Sequence, residues 1–232
     1  PPTPPGARPT GWYRRPPATF SAHTENMLRP NPATSDPLVL AVDIGSVNSA
    51  WCLFCRSTQT ILYWQMHKLL DQHAPQIRDT SEVKRHLDVV MHHLQPHLAG
   101  RSLQVLVEDQ VLKGKSDKDI ARKGIFFTVQ LQQCVSMYFL CQGCNVQTVD
   151  ASQRYSFMGI TTSKMSRHQK KQAVVGKLRS LLTQGAGNDF ALQPHDLSAW
   201  SQAAKKDDLA DALGMALQAA YRNFTAVRET HI

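Results

Sequence analysis

Pro37-Leu38-Val39-Leu40-Ala41-Val42-Asp43-Ile44-Gly45 is the stretch whose reading decides the fold. Five consecutive apolar residues between a proline and an acid mark a short strand buried on both faces. The strand delivers a carboxylate at its end, which is unfavourable in a buried setting unless something compensates the charge. Gly45 lets the following turn form without side-chain obstruction. Leu103-Gln104-Val105-Leu106-Val107, followed by Glu108-Asp109-Gln110, repeats the arrangement. Adjacent parallel strands lie about 5 Å apart, so acids at equivalent ends of neighbouring strands can share a cation.

Working outward, Ala50 to Phe54 predicts a second strand returning antiparallel, and Ile61 to Met66 a third. A three-stranded meander whose first strand carries an aspartate resembles the opening of a ribonuclease H-like fold. The same Asp-x-Gly opening also begins sugar kinases and actin-like ATPases, but those need further glycine-rich phosphate loops that this chain lacks at the right places. Val83, Leu87, Val90, Met91, Leu94 and Leu98 recur at helical spacing, with Thr80 or Ser81 as N-cap and Gly100 beyond the end. His86, His92, His93 and His97 lie mostly off that stripe and read as surface residues.

Lys113 to Lys123 reads as a basic loop leading into a helix from about Asp119 to Cys141. Phe127, Leu131, Cys134, Val135 and Tyr138 mark one apolar face; Phe126, Val129, Met137 and Leu140 line another, which suits a subunit interface. Val146 to Val149 predicts a strand. Ser152 to Lys177 mixes cations with Tyr155, Phe157 and Met158, a composition suited to phosphates and unpaired bases. Within it Lys170 to Leu182 predicts a helix, after a loop at Gly159 to Ser163, and Gly185 to Ser198 reads as a further loop. Lys205-Lys206-Asp207-Asp208-Leu209-Ala210-Asp211-Ala212-Leu213 then opens the last helix. Asp208 and Asp211, three apart, share a helix face and can aim at one point, whereas Asp207 is out of phase by about 100° and reads as supporting.

The 232 residues suffice for one sizeable core. Lysine and arginine number 26 against 18 acids, giving +8, which favours a polyanionic partner. No apolar run reaches membrane-spanning length. Residues 1–36 carry nine of the thirteen prolines and little apolar pattern, and read as a flexible Pro/Arg-rich arm. The expected domain is 37–224, with a C-terminal tail at 225–232. The chain starts on proline, so the natural start is expected upstream. Cys52/Cys55 and Cys141/Cys144 form Cys-x-x-Cys pairs, but residues three apart in a strand point to opposite faces, so these read as thiols of a reducing compartment rather than a zinc site.

Together Asp43, Glu108, Asp208 and Asp211 suit two Mg²⁺ ions, with Mn²⁺ an alternative, and in-line phosphodiester hydrolysis. The motifs VDIGSVNSAW, VEDQ, KKQAVV and KKDDLADAL resemble those of the Holliday junction resolvases of the RuvC-like superfamily, in its poxvirus and fungal mitochondrial branch. That resemblance covers about residues 38–222. It implies an α/β, ribonuclease H-like fold with a mixed central sheet flanked by helices. It further implies a homodimer, branched DNA as partner, paired symmetric nicks, and a mitochondrial or viral replication compartment. It puts Asp43, Glu108, Asp208 and Asp211 on the metal-binding acids and Lys171, with Lys170 next to it, on the functional lysine. Lys113, Lys115, Arg122, Lys123, Arg154, Lys164, Arg167 and Lys170 are the expected nucleic-acid contacts. A YqgF-like RNA-processing nuclease and a non-catalytic junction-binding protein are the competing readings.

Overall fold

The computed structural model describes residues 38–45, 47–71, 77, 80–110, 125–161, 163–183, 200–203 and 206–229. Three strands, β1 (Leu38–Asp43), β2 (Ser49–Cys55) and β3 (Thr60–His67), form the predicted antiparallel meander. Helix α1 (Thr80–Leu98) crosses to β4 (Leu103–Glu108), which pairs parallel with β1. Helix α2 (Ile125–Cys141) crosses again to β5 (Asn145–Val149), parallel to β4. The sheet order is β3-β2-β1-β4-β5, so the strand that decides the fold lies at its centre. Three helices follow: α3 (Ala151–Phe157), α4 (Arg167–Thr183) and α5 (Lys206–Glu229).

Both sheet faces are covered, as continuous apolar strands require. Leu38, Leu40 and Val42 pack under α1 and α2, against Leu87, Leu94, Phe127 and Phe139. Val39 and Ala41 face the other way, against Leu209, Leu213 and Met215 of α5 and Val174 and Leu178 of α4. Cys52 and Cys55 fall into opposite cores, with no disulfide between them.

The sequence reading does not foresee α3. It is seven residues long, started by Asp150, whose carboxylate accepts from the Ser152 N–H, and ended at Gly159 with φ of +67°. The last helix runs to Glu229, across the expected boundary at 224. The expected arm, the loop at 113–123 and the loop at 185–198 lie outside the described residues. Among those described, no helix is long and apolar enough to cross a membrane.

Candidate active site

The parallel register of β1 and β4 runs from Leu38 beside Leu103 to Val42 beside Val107. One step further, Asp43 and Glu108 leave the sheet side by side, and their carboxyls share a hydrogen bond. The chain turns sharply after Asp43. A Cβ on Gly45 would fall 1.9 Å from the Asn48 carbonyl oxygen, so glycine is required there. The buried Ser49 hydroxyl accepts from the Gly45 N–H at 3.3 Å and donates to its carbonyl at 3.1 Å.

Helix α5 brings the second pair of acids. Buried Leu209, Ala212 and Leu213 seat its apolar stripe on the sheet, and the Trp64 indole donates to the Leu209 carbonyl at 2.9 Å while stacking on Trp200. Asp211 is 3 % exposed and Asp208 half-buried. A Cβ on Gly214 would lie 2.4 Å from Met158 Cε, the free end of a flexible side chain, and 3.9 Å from Arg154 Cβ and Cδ, so α3 packs closely against α5 at this position. That approach inserts Arg154 among the acids. Its Nη1 lies 3.3 Å from Glu108 Oε1 and its Nη2 2.9 Å from Asp211 Oδ2. On the outer side, Lys171 of α4 donates to Asp207 and stands 3.5 Å from Asp208 Oδ1.

The electrostatics follow from burial and crowding. Burial, then the neighbouring Glu108, Asp211 and Asp208, push the Asp43 carboxyl well above its ordinary range. Glu108 is held below its own range: burial opposes its charge, but the hydrogen bond from Asp43 and the Arg154 guanidinium prevail. Asp211 is pushed up to about 7, by burial first, with Arg154 and Lys171 opposing and Glu108 and Asp208 adding to the rise. Burial works against the Lys171 charge, yet Asp207 and Asp208 raise its pKa. Asp211 Oδ1 is buried with no hydrogen-bond partner. An orphaned carboxylate oxygen beside proton-sharing acids fits a cation, and an all-oxygen donor set suits Mg²⁺ or Mn²⁺.

No protein-family model matches the chain, and no curated protein matches it. Among solved structures, the yeast mitochondrial Holliday junction resolvase Ydc2 is similar with a TM-score of 0.50 at 14% identity, over 84% of this chain and 84% of that one. The likeness shows a shared fold. The T. thermophilus RuvC in complex with its Holliday junction substrate is similar over 81% of this chain and 95% of that one, at 17% identity and a TM-score of 0.44.

On this fold Asp43, Glu108, Asp208 and Asp211 come within electrostatic reach of one another, with Lys171 beside Asp208. Lys164 and Arg167 are exposed and Lys170 is half-buried, all in or just before the first turn of α4. Lys113, Lys115, Arg122 and Lys123 lie outside the described residues. Arg154 corrects the sequence reading: expected on the nucleic-acid surface, it is 4 % exposed and ion-paired inside the acid cluster. Its run of cations and aromatics looks like surface, but the packing of α3 against α5 turns it inward. His86 is a second correction. Rather than standing alone at the surface, it joins Asp71 and Glu82, with one ligand atom of each within 4.8 Å of the others.

Proposed function

We propose that this chain is a structure-selective DNA endonuclease that resolves four-way junctions by paired, symmetric, metal-dependent phosphodiester hydrolysis. The observation that carries the proposal is the convergence of Asp43 and Glu108, from parallel strand ends, with Asp208 and Asp211 from α5, around a shared proton and an orphaned carboxylate oxygen. The likeness to a yeast mitochondrial Holliday junction resolvase supports the junction as substrate and is consistent with a mitochondrial setting.

Asp43, Glu108, Asp208 and Asp211 would hold two Mg²⁺ ions, which when bound supply an activated water and stabilisation of the leaving oxygen. The chain's own residues do the rest. Asp43 and Glu108 interact closely at the strand ends, where Asp43 would have to be ionised to help hold a cation. Lys171, fixed by Asp207 and Asp208, places a positive charge beside the acids, where it offsets the charge that builds on a phosphate under attack. Arg154 orients Glu108 and Asp211 through the two arms of one guanidinium. Phe126, Met137 and Leu140 are 49–58 % exposed along α2 and suit a homodimer, which would put two sites on one junction.

One observation favours the other reading, a junction-binding protein without chemistry. The Arg154 guanidinium already ion-pairs with both Glu108 and Asp211. The two readings separate on a labelled mobile four-way junction assayed beside linear duplex and an RNA–DNA hybrid, with Mg²⁺ or EDTA. Symmetric, Mg²⁺-dependent nicking of the junction, lost in Asp208→Asn, is the expected result. Tight junction binding without a cut supports the binding protein, and preference for the hybrid makes the substrate RNA-containing.

A further inference from the structure

The four acids of the candidate site do not offer their oxygens evenly. Arg154 takes one from each of two, with Nη1 3.3 Å from Glu108 Oε1 and Nη2 2.9 Å from Asp211 Oδ2. The other oxygen of Asp211, Oδ1, is buried with no hydrogen-bond partner. Asp211 and Asp208, on one face of α5, both act on the Asp43 carboxyl. One side of the cluster, around Asp211 Oδ1, thus presents an unmet oxygen, and the other side, between Glu108 and Asp211 Oδ2, holds a guanidinium.

That guanidinium occupies a built place. Arg154 is buried, and its Cζ lies 5.2 Å from the centre of the Tyr155 ring. Arg154 and Met158 are buried while Ser152, Gln153 and Ser156 are exposed, so the short α3 docks on α5 through the arginine itself. The pairing is nevertheless incomplete. Arg154 Nε is buried with no hydrogen-bond partner, so the acids leave one N–H donor of the fork unused.

Charge decides what else the cluster accepts. Lys171 is bonded to Asp207, outside the four acids. Four carboxylates match two divalent ions, so a buried guanidinium added to both ions is left unbalanced. A guanidinium with one divalent ion stays within the charge of the acids. A phosphodiester changes the count, because four carboxylates and one phosphate balance two divalent ions and one guanidinium.

We infer that Arg154 stands in for one of the two cations, so that the chain free of nucleic acid binds a single divalent ion, at Asp43, Asp208 and Asp211 Oδ1. The inference rests on the endonuclease reading for the second ion, which enters between Glu108 and Asp211 as the guanidinium leaves them. The backbone phosphate of a bound strand draws the guanidinium off, since two phosphate oxygens match its fork and can use the donor that the acids leave unpaired. Arg154 thereby couples full loading of the site to the arrival of nucleic acid.

The test titrates the full chain with Mn²⁺ and reads electron spin resonance, in which two ions in one site give a coupled signal that single ions, or ions scattered along DNA, do not. Free wild type should hold one uncoupled ion. Wild type with a four-way junction, and Arg154→Met without one, should show the coupled pair at a Mn²⁺ concentration at least about tenfold below any that produces it in free wild type. Where Arg154→Met fails to fold, Arg154→Lys keeps the charge but has one head in place of two arms, and should admit the pair at a lower concentration than wild type. A coupled pair in free wild type at two equivalents of Mn²⁺ overturns the inference. So does a single ion in folded Arg154→Met, an unchanged threshold in Arg154→Lys, or a single ion in the complex of wild type with a junction. None of these signals needs a cut. The expected spins in a chain that leaves the junction whole keep the role of Arg154 and remove the nuclease; cutting by a chain that holds the pair when free keeps the nuclease and removes the role.

Discussion

Two groups of ionisable side chains in this molecule could each attract a cation, and they differ in what surrounds them. Asp71, Glu82 and His86 meet the plainer geometric test, with ligand atoms mutually within 4.8 Å. Their carboxylates are nevertheless satisfied: Arg85 donates to Asp71 at 2.8 Å and Glu82 accepts from the Asp71 N–H at 2.7 Å, while His86 Nε2, 3.2 Å from Asp71, is buried without a hydrogen bond. Asp71 is accordingly held below its ordinary range, through its hydrogen bond from Arg85 first. Asp43 and Asp211 are raised instead, because burial and neighbouring carboxylates oppose their charge. Nearness collects ligands, but burial gives them an unmet demand for positive charge.

The largest effect belongs to the four acids of the candidate site. Asp43→Asn or Asp208→Asn should reduce junction cutting by about a thousandfold, since several kcal/mol of transition-state stabilisation is lost at 1.36 kcal/mol per tenfold. Single-turnover rates in Mg²⁺ check this, and chelation in the wild type should match it. A rate within tenfold of wild type would mean that the chemistry lies elsewhere.

Next comes Arg154. Replacing it by methionine keeps much of the volume on Gly214 but leaves Glu108 and Asp211 buried without their partner, which should cost about 3–5 kcal/mol in EDTA. Millimolar Mg²⁺ should recover part of the loss by binding only the folded chain. Denaturant melts with and without the ion decide it. Recovery would mean that guanidinium and cation compensate the same charge.

A smaller effect sharpens the comparison through pH. Asp211 binds its proton more tightly folded than unfolded, so in EDTA its contribution to stability is lost as pH rises from about 4 towards about 7. His67 behaves in the opposite sense. Burial first, then His93 and His86, lower its pKa to about 4, and its neutral Nε2 pairs with the Tyr63 hydroxyl. The unfolded chain takes up that proton first, so stability is lost as pH falls from about 6.5 towards 4. In Tm–pH profiles, Asp211→Asn should steepen the rise of stability with pH and His67→Gln should flatten it. Mg²⁺ should shift the wild-type profile towards that of Asp211→Asn.

The sequence discloses these regions unevenly, for physical reasons. Leu38–Val42 and Leu103–Val107 announce buried strands by continuous apolar character, and their terminal acids follow by position. Asp208 and Asp211 are legible because helical phase is a local property. Arg154 is not: its place depends on a seven-residue helix signalled only by the Asp150 cap, and on α3 meeting α5 at Gly214. A glycine inside the apolar run Ala212-Leu213-Gly214-Met215-Ala216 is the signal that could have pointed to such an approach. His86 reads as surface because its partner Asp71 comes from outside the helix, beyond any periodicity.

The smallest expected effect tests the comparison from its other side. His86→Ala and Asp71→Ala alter the group whose ligand atoms lie closest, so a view based on distance alone expects them to weaken metal-dependent activity. The Asp71–Arg85 pair there is exposed, and exposed pairs contribute little that survives ordinary salt. Both variants should therefore cut a junction with the same Mg²⁺ dependence as the wild type, measured as the ion concentration giving half-maximal rate. A shift of that midpoint by more than about threefold in either variant would mean that proximity alone recruits the ion, and the distinction between the two groups would fail.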